Sequence, residues 1–236
     1  MELADLGYNE KLEISRKEQD IDSFDIGRVI AEHKERYIVK TVKGEYEAEI
    51  TGNMRFAAKG REDFPAVGDW VALTTYDADF AIIHRVLPRY SVVERQAIGQ
   101  PGEVQIIATN IDYAFLVQAV DNSSRVKPII VLTKIDLADE SRTCEIIESI
   151  KSRIHETPII AISNETRDGY DAVNKVIEKG KTYCLLGSSG VGKSTLMNNL
   201  SGKIVMKTDS ISQSTNKGRH VTSHRELIIL ENGGIL

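Results

Sequence analysis

The residues with the plainest chemistry are Gly187-Ser188-Ser189-Gly190-Val191-Gly192-Lys193-Ser194, which follow the spacing G-x-x-x-x-G-K-[ST] in full, with Thr195 next. A phosphate tail carries dense negative charge. A loop that holds it must bring several backbone N–H groups close, and glycine permits that approach. Lys193 is placed to reach the β- and γ-phosphates, and the Ser194 hydroxyl to ligate Mg²⁺. By average composition such a pattern arises by chance in roughly one chain of this length in a hundred. Here an apolar run, Thr182–Leu186, precedes it and an amphipathic stretch, Thr195–Leu200, follows it. A strand before and a helix after is the setting this loop needs, and the dipole of a helix starting near Lys193 adds positive potential.

The loop alone does not separate adenine from guanine nucleotides. Thr133-Lys134-Ile135-Asp136 ends a second apolar run, at the place where open α/β sheets bind ligands. A carboxylate there accepts two hydrogen bonds from guanine, at the ring N–H and the exocyclic amine. Adenine offers the same acceptor an unprotonated ring nitrogen, at a penalty of a few kcal/mol. The Lys134 stem can cover the base plane. One βα unit later, Ala161-Ile162-Ser163-Asn164 closes another strand, where a serine can sit beside guanine or simply cap a helix.

Elements must hold these residues on one edge. From Val104 onward, apolar strands alternate with helical stretches, the pattern of a parallel α/β sheet. Strands are expected at Tyr113–Val120, Pro128–Thr133, Pro158–Ser163 and Thr182–Leu186, and helices at Cys144–Arg153 and Tyr170–Lys179. Upstream, short alternating runs at Ile26–His33, Arg36–Val42, Glu45–Ile50, Asp69–Leu73 and Phe80–Val86, with a long loop from Thr51 to Gly68, suit a small closed barrel of the OB type. A solvated antiparallel sheet of another topology is the alternative. Gly99–Gly102 marks the expected boundary, giving a polar, partly helical extension (1–23), a barrel (24–97) and an α/β P-loop domain (98–236).

Composition narrows the class. Hydrophobic residues make up 41% and charged residues 28% of 236, as expected of a globular chain. Cys144 and Cys184 show no metal-ligand spacing and read as reduced and cytosolic. No stretch approaches the ~20 apolar residues of a membrane span. The net charge of −5 argues against indiscriminate nucleic-acid binding but leaves room for a local basic face. Such a face is available on the barrel's long loop, where Arg55, Lys59 and Arg61 stand near Phe56 and Phe64, diluted by Glu62 and Asp63.

Taken together, these motifs resemble the circularly permuted GTPases of ribosome biogenesis, and among them the ribosome small subunit-dependent GTPase family. In ordinary G proteins the P-loop precedes the base-recognition motif; here Thr133–Asp136 and Ser163 come first. The resemblance covers most of 24–236, including Phe64-Pro65-Ala66-Val67-Gly68-Asp69-Trp70-Val71 and Gly218-Arg219-His220-Val221-Thr222-Ser223. It implies an OB barrel before a permuted G domain. It also implies GTP/GDP and Mg²⁺ as ligands, the 30S subunit and its 16S rRNA as partners, and a cytoplasmic monomer that hydrolyses GTP during late 30S maturation. Lys207–Ser223 would be the first switch, with Thr222 joining Lys193 as a catalytic residue and Ser194 at the metal. His220 is a weaker candidate for positioning water. Val221 and Ser223 depart from the family's consecutive threonines, and Asn164 stands where alanine is usual.

The same resemblance implies an Asp-x-Pro-Gly motif and a C-terminal zinc domain beyond Leu236, so zinc is expected only there and the G domain is expected to be incomplete, with low turnover alone. Arg225–Leu230 and Ile235–Leu236 read as a hairpin about Asn232-Gly233. Asp121–Lys127 is short for a parallel crossover, which implies missing residues or non-adjacent strands. Two other functions stay open. One is a transporter-type ATPase, though Leu200-Ser201-Gly202-Lys203 does not supply its signature. The other is a non-enzymatic RNA-binding barrel.

Overall fold

Period-two alternation in the first third of the chain closes into a barrel. The structure is a computed structural model that describes residues 1–33, 36–96, 104–116, 126–205 and 226–236. Five strands, β1 (Asp25–His33), β2 (Arg36–Lys40), β3 (Glu45–Ile50), β4 (Trp70–Thr75) and β5 (Phe80–Val86), join in the order β1-β2-β3-β5-β4 and close on β1. Strands β2 to β5 send alternate residues inward, Tyr37 and Val39, Ala48 and Ile50, Val71 and Leu73, Ala81 and Ile83, and β1 adds Val29. The alternating hydrophobic set is therefore the barrel core, and closure on β1 excludes the solvated antiparallel sheet of another topology.

The long loop between β3 and β4 carries a short helix, α2 (Gly52–Ala57), capped by the Thr51 hydroxyl, which accepts from the Met54 N–H. The loop then returns through Phe64–Trp70. Gly68 lies at φ 97° against the carbonyl of Thr109, where no side chain fits. Asp69 is fully buried and accepts from Arg89 Nε at 2.8 Å, Arg89 Nη2 at 2.6 Å and the Ala66 N–H at 2.8 Å. Arg89 also donates to the carbonyls of Glu62 and Phe64, pinning the loop to the barrel.

The first 23 residues do more than a polar extension would. Their apolar residues Leu6, Leu12 and Ile21 are buried, and helix α1 (Glu10–Glu18) is capped by Asn9. Tyr8 packs edge-on against buried Trp70, with ring centroids 4.9 Å apart. The Arg28 guanidinium is fully buried over the Trp70 ring and donates to the carbonyls of Leu6 (2.6 Å), Gly68 (3.2 Å) and Asn110 (3.1 Å). Carbonyl dipoles converging on a buried cation offset its desolvation. The three buried apolar residues, Leu6, Leu12 and Ile21, follow no period, so the segment's packing is not legible in its sequence.

An antiparallel ribbon follows, β6 (Val92–Gln96) with β7 (Val104–Thr109). It flanks Gly99–Gly102, which lie outside the described residues. By compactness the chain divides later, between Ile111 and Asp112: one unit is Met1–Ile111 with Arg225–Ile228 and Ile235, the other Asp112–His224 with Ile229–Gly234 and Leu236.

The second unit holds a four-stranded sheet, β8 (Tyr113–Leu116), β9 (Lys127–Leu132), β10 (Ile159–Ala161) and β11 (Tyr183–Leu186), in the order β10-β9-β8-β11 with every pairing parallel. Ala114, Phe115, Ile129, Ile130 and Val131 form its buried centre. Helices α3 (Glu140–Lys151), α4 (Tyr170–Val176) and α5 (Lys193–Ser201) complete the described part of the unit. The expected strands and helices are present, with ends shifted by at most four residues; 117–120 lie outside the described residues.

Two expectations are corrected. Strands β8 and β9 are parallel neighbours, Tyr113 opposite Lys127 and Leu116 opposite Ile130, so the non-adjacent arrangement is wrong. Apart from Val126, the residues between them are not among those described. Returning along a four-residue strand takes about 13 Å, whereas ten extended residues reach about 33 Å. The dozen-residue figure describes a crossover that carries a helix; chain reach sets a lower limit. The expected terminal hairpin is reduced to its tip: Ile229 and Ile235 are single bridge residues on either side of a turn closed from the Leu230 N–H to the Gly234 carbonyl and from the Gly233 N–H to the Leu230 carbonyl. No strand forms there among the described residues, and Glu226 makes a single bridge to Ala31.

Candidate functional site

Because all four strands are parallel, their carboxyl ends share one edge, and the loops leaving β9, β10 and β11 begin there. These loops are the three segments singled out by sequence: Thr133–Asp136, Ser163–Asn164 and Gly187–Ser194.

The phosphate-loop sequence forms a turn whose glycines take conformations with positive φ: Gly187 at 154°, Gly190 at 79° and Gly192 at 94°. Gly192 caps α5, so the helix opens at Lys193 with Ser194 and Thr195 in its first turn. The Lys193 ammonium donates to the carbonyls of Gly187 (2.8 Å) and Ser188 (2.7 Å), which places it across the loop. Burial lowers its pKa from the ordinary lysine value, since desolvation disfavours the charged form. A bound phosphate would supply the missing counter-charge.

At the end of β9 the chain turns sharply. Lys134 adopts the left-handed conformation (φ 62°, ψ 35°), which costs a non-glycine residue about 1 kcal/mol or more. That turn brings Asp136 back toward β10, where its Oδ1 accepts a 2.6 Å hydrogen bond from the Ser163 hydroxyl. Ser163 is fully buried, and its oxygen in turn accepts from the N–H groups of Glu165 (3.2 Å) and Thr166 (3.1 Å). The carboxylate is thus oriented by a serine that is itself fixed. Thr133 does a different job: its hydroxyl donates to the Val191 carbonyl at 2.7 Å, tying this turn to the phosphate loop.

Every nucleotide-site candidate among the described residues therefore gathers on one sheet edge: Thr133, Lys134, Asp136, Ser163 and Gly187 through Thr195. Thr222 and His220, with the whole segment Lys207–Ser223, lie outside the described residues. Asn164 joins the residues on that edge from the end of β10. Its amide donates to the Gly192 carbonyl at 3.1 Å and its carbonyl oxygen accepts from the Tyr170 hydroxyl at 2.7 Å. The only hint in sequence was its place beside Ser163.

The model of the RsgA GTPase family matches residues 86–236. The chain is 34% identical over 245 residues to the small ribosomal subunit biogenesis GTPase RsgA 1 of Bacteroides thetaiotaomicron, covering 98% of this chain and 68% of that one. The chain belongs to the RsgA GTPase family. A second RsgA, from Oceanobacillus iheyensis, is 38% identical over 227 residues, which is 89% of this chain and 64% of the relative. The chain thus spans about two thirds of the length of these RsgA relatives. Among solved structures, YjeQ of Thermotoga maritima superposes with a TM-score of 0.60 at 23% identity, covering 89% of this chain and 72% of that chain. YloQ, described as a circularly permuted GTPase, gives 0.58 at 22% identity, covering 90% and 69%. At such identities they speak for the fold: a barrel and a P-loop domain whose motifs run in permuted order.

The basic candidates of the barrel lie on one stretch of its long loop. Arg55 is on α2, and Lys59 and Arg61 follow it, all three exposed. Phe56 is 94% exposed. Phe64 is not available in the same way, since it packs against the barrel core. Asp63 accepts from the Lys59 and Gly60 N–H groups, which shapes the loop and sets an acid among the bases. No helix among the described residues is long and apolar enough to cross a membrane.

Proposed function

We propose that this chain binds GTP and GDP and hydrolyses GTP to GDP and phosphate, in a cycle coupled to the small ribosomal subunit during its late maturation in the cytoplasm, as a monomer. The observation that carries the nucleotide assignment is the Ser163–Asp136 hydrogen bond, which presents a carboxylate to a base from the same edge that holds the phosphate loop. Guanine offers a donor to each carboxylate oxygen; adenine in the same pose presents an unprotonated ring nitrogen and a C–H and offers neither, which disfavours the ATPase reading by a few kcal/mol. The names of the RsgA relatives support the ribosomal partner. Titration with GDP, a GTP analogue and ATP tests the base preference directly, and equal affinity for ATP and GTP would overturn it.

In this reading the loop amides and the helix α5 terminus neutralise the phosphates, and Lys193 bridges the β- and γ-oxygens. Ser194, in the first turn of α5, would hold Mg²⁺ through its hydroxyl, with Thr222 as its expected companion; the ion would supply further neutralisation of phosphate charge. Hydrolysis then rests on positioning and charge neutralisation by groups already set in the loop. Replacing Lys193 with alanine is expected to lower GTP-analogue affinity at least tenfold and to remove whatever turnover the chain shows, measured with labelled nucleotide. A rate unaffected by the substitution would remove Lys193 from the mechanism.

The barrel is assigned to the ribosomal partner: Arg55, Lys59 and Arg61 meet 16S rRNA phosphates, and Phe56 offers a face on which a base stacks. Charge reversal at the three basic positions is expected to weaken association with 30S subunits about tenfold or more and to flatten its salt dependence. GDP affinity should stay as it was. Undiminished 30S binding would move the rRNA contact elsewhere, and a non-enzymatic RNA-binding role for the chain would require that GDP not bind at all.

A further inference from the structure

Peptide geometry connects the two halves of the nucleotide site. In a trans peptide the carbonyl of one residue and the N–H of the next point in opposite directions, so holding the carbonyl fixes the amide. Thr133 holds the Val191 carbonyl, which sets the direction of the Gly192 N–H. Asn164 holds the Gly192 carbonyl, which sets the direction of the Lys193 N–H. Two consecutive peptides of the phosphate loop are therefore gripped from the strand ends that carry the base-recognition residues.

Asn164 is itself held on several sides. The Tyr170 hydroxyl donates to its Oδ1 at 2.7 Å, fixing which end of the amide faces Gly192. Asn199, on α5, donates to the Asn164 main-chain carbonyl at 3.1 Å and to the Tyr170 oxygen at 2.7 Å. The Arg167 guanidinium lies 5.4 Å from the Tyr170 ring centroid and reaches the Asn199 carbonyl at 3.3 Å. The approach is close: a Cβ on Gly192 would stand 2.5 Å from the Asn164 amide nitrogen, so the contact requires glycine there. An alanine at 164 could make none of these side-chain bonds.

We infer that Asn164 is a positioning residue for phosphate binding, orienting the Gly192–Lys193 peptide of the loop from the base-recognition segment, with Tyr170 and Asn199 fixing its amide. This inference rests on the reading of the edge as a guanine-nucleotide site. It makes the two halves of that site interdependent: a nucleotide that orders Ser163–Asn164 through its base also steadies the amides that meet its phosphates.

The test uses the 236-residue chain with GDP, comparing wild type with Asn164→Ala, Asn164→Asp and Tyr170→Phe. Asn164→Asp keeps the shape but loses the N–H that holds the Gly192 carbonyl. Both substitutions at 164 are expected to weaken GDP about tenfold, and Tyr170→Phe about threefold. The ³¹P resonance of the β-phosphate in bound GDP should shift in all three, because it reports the amides around it, while the melting temperature of the nucleotide-free chain stays within a few degrees. If Asn164→Asp binds GDP as wild type does with an unmoved β-phosphate resonance, the inference is wrong. A weaker affinity with an unmoved resonance would also overturn it, since the loss would then arise away from the phosphate loop. Failure of the wild type to bind GDP would instead strike at the guanine-nucleotide reading.

Discussion

Converting Asp136 to asparagine is expected to lower GDP affinity about a hundredfold or more and to let xanthosine diphosphate bind the variant better than it binds wild type. The carboxylate is oriented before any base arrives, because Ser163 donates to its Oδ1 at 2.6 Å and Ser163 is fixed by two backbone N–H groups. Guanine presents two donors to that carboxylate. An asparagine amide offers one acceptor and one donor, so it opposes the guanine exocyclic amine with an N–H and leaves both unpaired. The cost of such a mismatch is a few kcal/mol, and each 1.4 kcal/mol is tenfold. Xanthine carries a carbonyl at that position and restores the pairing. Calorimetry with the two diphosphates reads the change. Unaltered GDP affinity would remove Asp136 from base recognition and with it the ground for preferring guanine.

The largest loss of stability is expected from Asp69→Ala, which should destabilise the barrel unit by about 3 kcal/mol or more, the usual cost of breaking a buried ion pair from one side. Asp69 is fully buried, and Arg89 meets it with two nitrogens, at 2.8 and 2.6 Å. Without the carboxylate, a mostly buried guanidinium is left with carbonyl partners alone and the Ala66 N–H loses its acceptor. For a unit of roughly a hundred residues this corresponds to a fall in Tm on the order of 10 °C. Thermal unfolding followed by the fluorescence of Trp70, the chain's single tryptophan, measures it. Asp69→Asn should cost less, because the amide oxygen still accepts from one donor. A melting curve unchanged by Asp69→Ala would mean that the pair contributes nothing to the loop's attachment.

The two predictions differ in how far the residues announced themselves. Asp136 was legible because its chemistry is local: a threonine, a lysine and an aspartate at fixed spacing after an apolar run define both the strand end and the acceptor. Asp69 was legible only as part of a resemblance. Nothing near it in sequence reveals Arg89, which lies on the far side of strands β4 and β5. The same holds for Arg28, whose partners Leu6, Gly68 and Asn110 come from three separate stretches. The first 23 residues read as a featureless extension because three buried apolar residues make no periodic pattern. Phe64 read as a candidate for stacking because exposure cannot be told from a loop sequence, and the structure packs it, partly buried, against the barrel core.

By itself the sequence determined the pieces: alternation at period two gave the barrel strands, apolar runs gave the parallel strands, and the glycine–lysine spacing gave the phosphate loop. Those are signals within a few residues, where local conformation and side-chain type are directly coupled. Only the tertiary structure decided that β8 and β9 are neighbours, that the Thr133 hydroxyl and Asn164 amide grip successive carbonyls of the phosphate loop, and that Ser163 orients Asp136. These contacts join residues 27 to 58 positions apart, and they depend on strand order and on the direction of single peptide groups. Neither quantity is written in the spacing of residues along the chain, because both are settled by which strands pair when the core closes.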